Sequence, residues 1–149
     1  GEYIRQLSVD ELKSKLQMSN AKWKNVDDNT LKAIIPLVKD RIKTLGEFEN
    51  LAGFFFKAKK PKSGFFEKDY KKHLREAISA LEQVKGWNKG EIDKVLLAAV
   101  DKNSFKTGQF FMNLRVAITG RRATPPINES IVILGREETL ERLKSTLAS

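Results

Sequence analysis

Apolar positions along this chain recur every three or four residues, and the stretches between them carry helix start and stop signals. Val9, Leu12 and Leu16 share a face behind Ser8, which forms a capping box with Glu11, so the spacing predicts a helix over 8–18. Trp23 and Val26 anchor the next, polar segment. Leu31, Ile34, Ile35, Val38 and Ile42 make the second stripe. It predicts a helix capped by Asp28 or Asn29 and running to about residue 43, with Pro36 as a kink or a late start. Thr44 and Glu47 repeat the capping-box spacing and open a short helix reaching 51–56.

Residues 57–64, KAKKPKSG, end the periodicity and mark the best internal boundary. Beyond it, Tyr70, Leu74, Ala77, Ile78, Leu81 and Val84 predict one long helix over 66–85, stopped at Gly86. Asn88 and Glu91 open a helix carrying Ile92, Val95, Leu96, Ala99 and Val100. Further helices are expected over 109–119, from Thr124 to a stop at Gly135, and over 137–148 with Leu140, Leu143 and Leu147 inward. Residues 131–134 have strand propensity, but a Thr-Pro start before them and a glycine after them favour helix. The pattern predicts an all-α fold of two packed helical subdomains, 1–60 and 61–149.

The stretch from Leu114 to Ile127 stands out within that scheme. Gly120 suits the left-handed position past a helix end, Thr124 suits an N-cap, and Pro125 suits the first helical position. Arg121 and Arg122 are thereby expected on a short, defined turn beside a helix N-terminus, whose partial positive charge and unpaired N–H groups favour anions. A solvated turn between helices is the plainer reading of the same residues.

Composition narrows the function classes. The chain has 149 residues, 40% of them hydrophobic and 32% charged, which is the balance of a soluble globular protein. It has no cysteine and one histidine, which excludes a disulfide framework and a cysteine-based zinc site and fits a cytoplasmic location. No run approaches the length of a membrane span and no signal-peptide core is present, so no membrane partner is expected. The net charge of +9 points to a polyanion, most simply nucleic acid.

Little in the sequence is suited to catalysis. His73 stands alone beside Lys72 and Leu74, a structural or solvated position. There is no phosphate-cradling GxxxxGK[ST] loop, no GxGxxG and no GxSxG. Asp27 with Asp28 and Glu137 with Glu138 read as helix-start chemistry. Neither a catalytic residue nor a metal site is expected. The binding chemistry is richer. Lysines at 57, 59, 60, 62, 68, 71 and 72 interleave with Phe54, Phe55, Phe56, Phe65 and Phe66, which suits either base stacking and phosphate contact or a core with a solvated rim. Arg41 comes after an apolar stripe and before a turn. It is placed either to pair with Asp40 or Glu47, or to present its guanidinium to an unstacked base.

Four segments resemble the C-terminal region of bacterial glutamyl-tRNA synthetase: GEYIR at 1–5, PLVKDRIKTL at 36–45, LRVAITG at 114–120 and LGREETLERL at 134–143. The likeness runs through the whole chain in order and is loosest over 57–89. It implies an anticodon-binding region of two helical subdomains that binds the tRNA-Glu anticodon stem-loop as a monomer. It also implies an upstream catalytic domain, binding ATP and Mg, without which this chain would have no activity and no cofactor of its own. By the resemblance, Arg41 matches the position that inspects the third anticodon base. Cytosine offers acceptors to a donor-only guanidinium, whereas guanine presents N–H donors against it. Glutamate anticodons end in cytosine and glutamine anticodons in guanine, so arginine here implies the discriminating form. Arg115, Thr124, Pro125 and Ile127 match contacts to the other anticodon bases and their backbone, and the turn with Arg121 and Arg122 is expected to face RNA. Where the family often has glycine, this chain has Pro126, which removes one N–H. A helical protein-interaction or general RNA-binding module with no anticodon specificity, and a stand-alone RNA-modifying enzyme, are the other readings.

Overall fold

The computed structural model describes residues 2–149. Gly1, the first residue of the 1–5 resemblance, lies outside the described residues, as do the side chains of Glu2 and Tyr3. Among the described residues every regular element is helical, and the chain divides into two compact units, Gly1–Phe56 and Lys57–Ser149.

The first unit contains α1 (Glu2–Gln6), α2 (Val9–Ser19), α3 (Asp28–Val38) and α4 (Glu47–Ala52), with 3-10 turns between α2 and α3 and between α3 and α4. Ser8 and Glu11 close the capping box at the start of α2, each side chain bonding the other's backbone N–H at 2.9–3.1 Å. Leu12, Leu16, Leu31, Ile34, Ile35, Val38, Phe48 and Ala52 are buried together. Trp23 joins them and meets the Phe48 ring edge-on at 5.0 Å.

Three sequence expectations shift in this unit. The cap of α3 is Asp27, whose carboxylate accepts the Thr30 N–H at 3.1 Å. The Asp28 carboxylate is taken by Lys13 and Gln17 of α2 at 3.1 and 3.2 Å, which also holds its pKa below the ordinary value. The helix ends at Val38, not near residue 43, and tightens into a 3-10 turn over Lys39–Arg41. Pro36 lacks the N–H that would continue the ladder to Lys32, and the helix survives it by less than one turn. Thr44 forms no cap. Gly46 precedes α4 without a side-chain bond, and the Glu47 carboxylate instead reaches back to the Lys43 N–H at 3.1 Å.

The second unit contains α5 (Tyr70–Gln83), α6 (Lys89–Asn103), α7 (Thr107–Thr119), α8 (Ile127–Leu134) and α9 (Arg136–Ala148). Helix α5 packs on α6, α7 and α9 around Leu74, Leu81, Ile92, Leu96, Phe110, Leu114, Ile118, Ile131 and Leu143. Residues 131–134 are helical, held at one end by the Trp87 Nε1–H, which donates to the Ile131 carbonyl at 2.8 Å.

The helix expected from residue 66 begins at Tyr70 instead. Ser63–Phe65 is a 3-10 turn, Phe66 is extended, and Asp69 sits in the left-handed region at φ 65°. A contact distant in sequence wins here. Asn113, fully buried on α7, accepts the Glu67 N–H at 2.6 Å and faces His73 Nδ1 through its amide nitrogen at 2.9 Å. Its amide nitrogen also reaches the Glu67 carbonyl at 3.4 Å, the acceptor that a helix begun at 66 would have given to the Lys71 N–H. His73 is buried against Phe105 and Phe110.

Candidate nucleic-acid interface

Helix α7 ends as its sequence prescribes. Gly120 adopts φ 74° and its N–H closes on the Val116 carbonyl at 2.8 Å. A second constraint was not visible in the sequence. A Cβ on Gly120 would stand 2.8 Å from the Lys59 carbonyl oxygen and 3.0 Å from the Lys59 Cβ, so the 57–62 strap crosses directly over this turn. Thr119 fixes the start of the turn. Its Oγ1 accepts the Arg121 N–H at 3.0 Å, and its one proton has the Arg115 carbonyl at 2.8 Å and the Arg121 carbonyl at 3.1 Å to choose between. The buried Arg142 of α9 donates from Nη1 to the Ile118 carbonyl at 2.9 Å, satisfying an acceptor in the last turn of α7.

The basic pair on the turn is divided. Arg122 donates from Nη1 to the Phe65 carbonyl at 2.6 Å and to the Glu67 carboxylate at 3.1 Å, tying the turn to the segment before α5. The Arg121 side chain forms no ion pair among the described residues and is half-buried. Arg115 lies half-buried on α7, one helical turn before Thr119.

Thr124 and Pro125 do not play the local parts expected of them. The N-cap of α8 is Pro126, the helix starts at Ile127, and Thr124 is buried with its hydroxyl donating to the Pro125 carbonyl at 2.8 Å. The two prolines together decide this. A residue before proline is disfavoured in the α region, so Pro126 steers Pro125 out of the helix. Pro126 then serves well as the cap, because its carbonyl accepts both the Ser130 N–H at 3.0 Å and the Ser130 hydroxyl at 2.7 Å. Pro125 is buried, and the Ile127 side chain belongs to the core, so these positions offer a ligand their backbone. The amides of Ile127, Asn128 and Glu129 are the first-turn N–H groups of α8.

In the first unit, Arg41 ends the 3-10 turn Lys39–Arg41 and is exposed. The phenylalanine run divides sharply. Phe54 is buried, Phe55 stacks on it at 4.2 Å, and Phe56 is 38% exposed and leans on Trp23 at 5.4 Å. Sequence reasoning missed Asn113, Thr119 and Arg142 as the groups that shape the turn. Each is a polar residue on an apolar helix face, which was the available signal.

Residues 8–147 match the anticodon binding domain family. The chain belongs to that family. It is 36% identical to a glutamate–tRNA ligase from Acidothermus cellulolyticus and 31% identical to one from Pseudothermotoga lettingae, in both cases over 99% of this chain and 32% of the relative. It therefore spans about a third of the length of the curated relatives it matches. A solved glutamate tRNA ligase from Elizabethkingia meningosepticum superposes with a TM-score of 0.88 at 19% identity, over 99% of this chain and 30% of that one, a likeness of fold. Among the described residues no helix is long and apolar enough to cross a membrane, and no three acidic or histidine side chains gather as a metal site would require.

Proposed function

We propose that this chain recognises the anticodon stem-loop of tRNA-Glu as part of a cytoplasmic, monomeric glutamate–tRNA ligase. Its catalytic part, with ATP and Mg, lies outside these 149 residues. The observation that carries the reading is the family match over 8–147, together with a turn at 119–126 whose start is held by contacts from Thr119, Lys59 and Arg142. A fixed turn loses little conformational entropy on binding, which suits a reader of flexible loop bases.

The roles divide by chemistry. Arg41 reads the third anticodon base through donors alone, favouring cytosine over guanine. Arg121, with Arg115 behind it, supplies charge to the loop phosphates. Arg122 holds the turn on the Phe65 carbonyl and Glu67 and offers its remaining donors to RNA. Thr124, Pro125 and Ile127 present the backbone at the start of α8, including the first-turn amides. No step of aminoacylation is assigned to this chain. The test is direct binding of the 149-residue protein to 17-nucleotide stem-loops whose anticodons end in cytosine or guanine. Tighter binding of the cytosine form supports the reading. Equal binding of both removes the specificity, and no binding at low salt removes the function.

A further inference from the structure

Residues 57–75 hold eight lysines and arginines against Glu67 and Asp69, a surplus of six out of the net nine positive charges of the chain. Charge spread for solubility would be dispersed, whereas this is two-thirds of the total on 19 residues. Among the described residues none of the eight cations enters an ion pair, while Glu67 is already neutralised by Arg122.

The segment is also fixed in place. The strap lies over Gly120, Asn113 clamps Glu67, and Lys72 Nζ stands 5.8 Å above the ring of Phe105, the residue before the exposed Lys106. On α5, Lys71, Lys72 and Arg75 fall on the exposed side, opposite Leu74, Ala77 and Leu81, on a strip about one quarter of the helix circumference wide. The turn that carries Arg121 is tied to this segment, since Arg122 bonds the Phe65 carbonyl three residues before Lys68.

We infer that Lys68, Lys71, Lys72, Arg75 and Lys106 form a sequence-independent phosphate-binding face that takes the paired stem of the RNA whose loop meets the 119–126 turn. The inference rests on the RNA-binding reading above and adds the helical stem as a second ligand element. A duplex backbone suits the strip, since it offers phosphates in a regular row and asks only for positive charge. A membrane surface suits it poorly. Among the described residues the large exposed hydrophobic side chains are Met18, Phe56 and Leu97, and none of them lies on this strip to insert into lipid.

The test compares the triple variant Lys71→Gln, Lys72→Gln, Arg75→Gln with a control triple, Lys24→Gln, Lys85→Gln, Lys94→Gln, after circular dichroism shows both are folded. Binding is titrated against salt with the anticodon stem-loop, with an unpaired heptamer of the loop sequence, and with vesicles containing anionic lipid. The inference expects the strip triple to lose roughly tenfold in stem-loop affinity and its log–log salt slope to fall by about two, near 0.7–0.9 per phosphate. The loss should be equal for anticodons ending in cytosine and guanine, and absent for the heptamer. An unchanged slope overturns the inference, as does the same loss in the control triple or an equal loss on the heptamer. So does a loss seen on vesicles and not on RNA. If the parent chain binds both stem-loops equally while the strip triple still lowers the slope, the anticodon reading fails and the stem face stands.

Discussion

The Arg142 guanidinium donates to the Ile118 carbonyl at 2.9 Å while its Nε is held by Glu138 at 2.7 Å, and only 6% of Arg142 is exposed. A charge from α9 thus closes the last turn of α7, two residues before the glycine that begins the candidate turn. Replacing Arg142 with methionine keeps most of the packing and removes the donor. The Ile118 carbonyl is left without that partner, at a cost of about 1–3 kcal/mol. Glu138 is 43% exposed and stays solvated, so its release adds little. Urea unfolding should show that loss for Arg142→Met. Hydrogen exchange should speed up at 119–123 before it does elsewhere, and unchanged stability would show that the contact does not hold the turn.

Gly120 and Gly135 provide an internal comparison. Both have positive φ, 74° and 89°, but a Cβ at Gly120 meets the Lys59 carbonyl oxygen at 2.8 Å whereas one at Gly135 meets nothing within 4 Å. Gly135→Ala should therefore carry backbone strain alone, about 1–3 kcal/mol. Gly120→Ala carries strain and must also lift the strap, because the obstacle is backbone and no rotamer relieves it. Limited proteolysis distinguishes them: cleavage within 57–62 should rise for Gly120→Ala and stay at the parent level for Gly135→Ala.

Most of the helices were legible from local signals, although the Thr44–Glu47 spacing formed no cap and the cap of α3 fell one residue early, at Asp27. The Ser8–Glu11 capping box, the glycine past α7 and the apolar stripes all act within four residues, and each is found as the pattern reads. The misplaced boundaries have two kinds of cause. At α3 and α8 the proline rules were in the sequence but were outweighed: Pro36 shortened one helix, and the Pro125–Pro126 pair moved the start of the other past Thr124. At 66–69 nothing local could have revealed the answer, because Asn113 lies 46 residues from the backbone it captures. The candidate site divides in the same way. Gly120 could be read from the stop signal, but its contact with the strap and the Arg142 bond to Ile118 could not.

The Asn113–His73 pair has a pH signature. Asn113 Oδ1 is taken by the Glu67 N–H, so its amide nitrogen must face His73 Nδ1 and donate to it, which requires a neutral imidazole protonated at Nε2. Burial pushes the His73 pKa below its ordinary value and the nearby Lys72 adds to this, while Asp69 opposes it. The unfolded chain therefore binds a proton at higher pH than the folded one. The stability due to neutral His73 is fully present above the unfolded value, near pH 6.5, and is lost as pH falls toward the lowered folded pKa. Urea unfolding from pH 7.5 to 5 should show this slope in the parent chain. In His73→Gln, which keeps an acceptor for Asn113 and cannot titrate, the slope should flatten. An identical slope in the variant would assign it to other groups.

Arg41 provides the sharpest test of the proposed specificity. A guanidinium has donors only, so against the pairing edge of cytosine it finds acceptors, and against guanine it meets N–H groups. Glutamine at this position carries both a donor and an acceptor and can satisfy either base. Arg41→Gln should therefore narrow the preference for anticodons ending in cytosine by roughly 10- to 100-fold, the discrimination of one good bidentate contact. Total affinity should fall far less. The measurement is the ratio of the two dissociation constants, taken at one salt concentration for parent and variant, because the loss of one positive charge weakens both complexes alike. Equal weakening with an unchanged ratio would leave Arg41 as a phosphate contact and move the reading of the third base elsewhere.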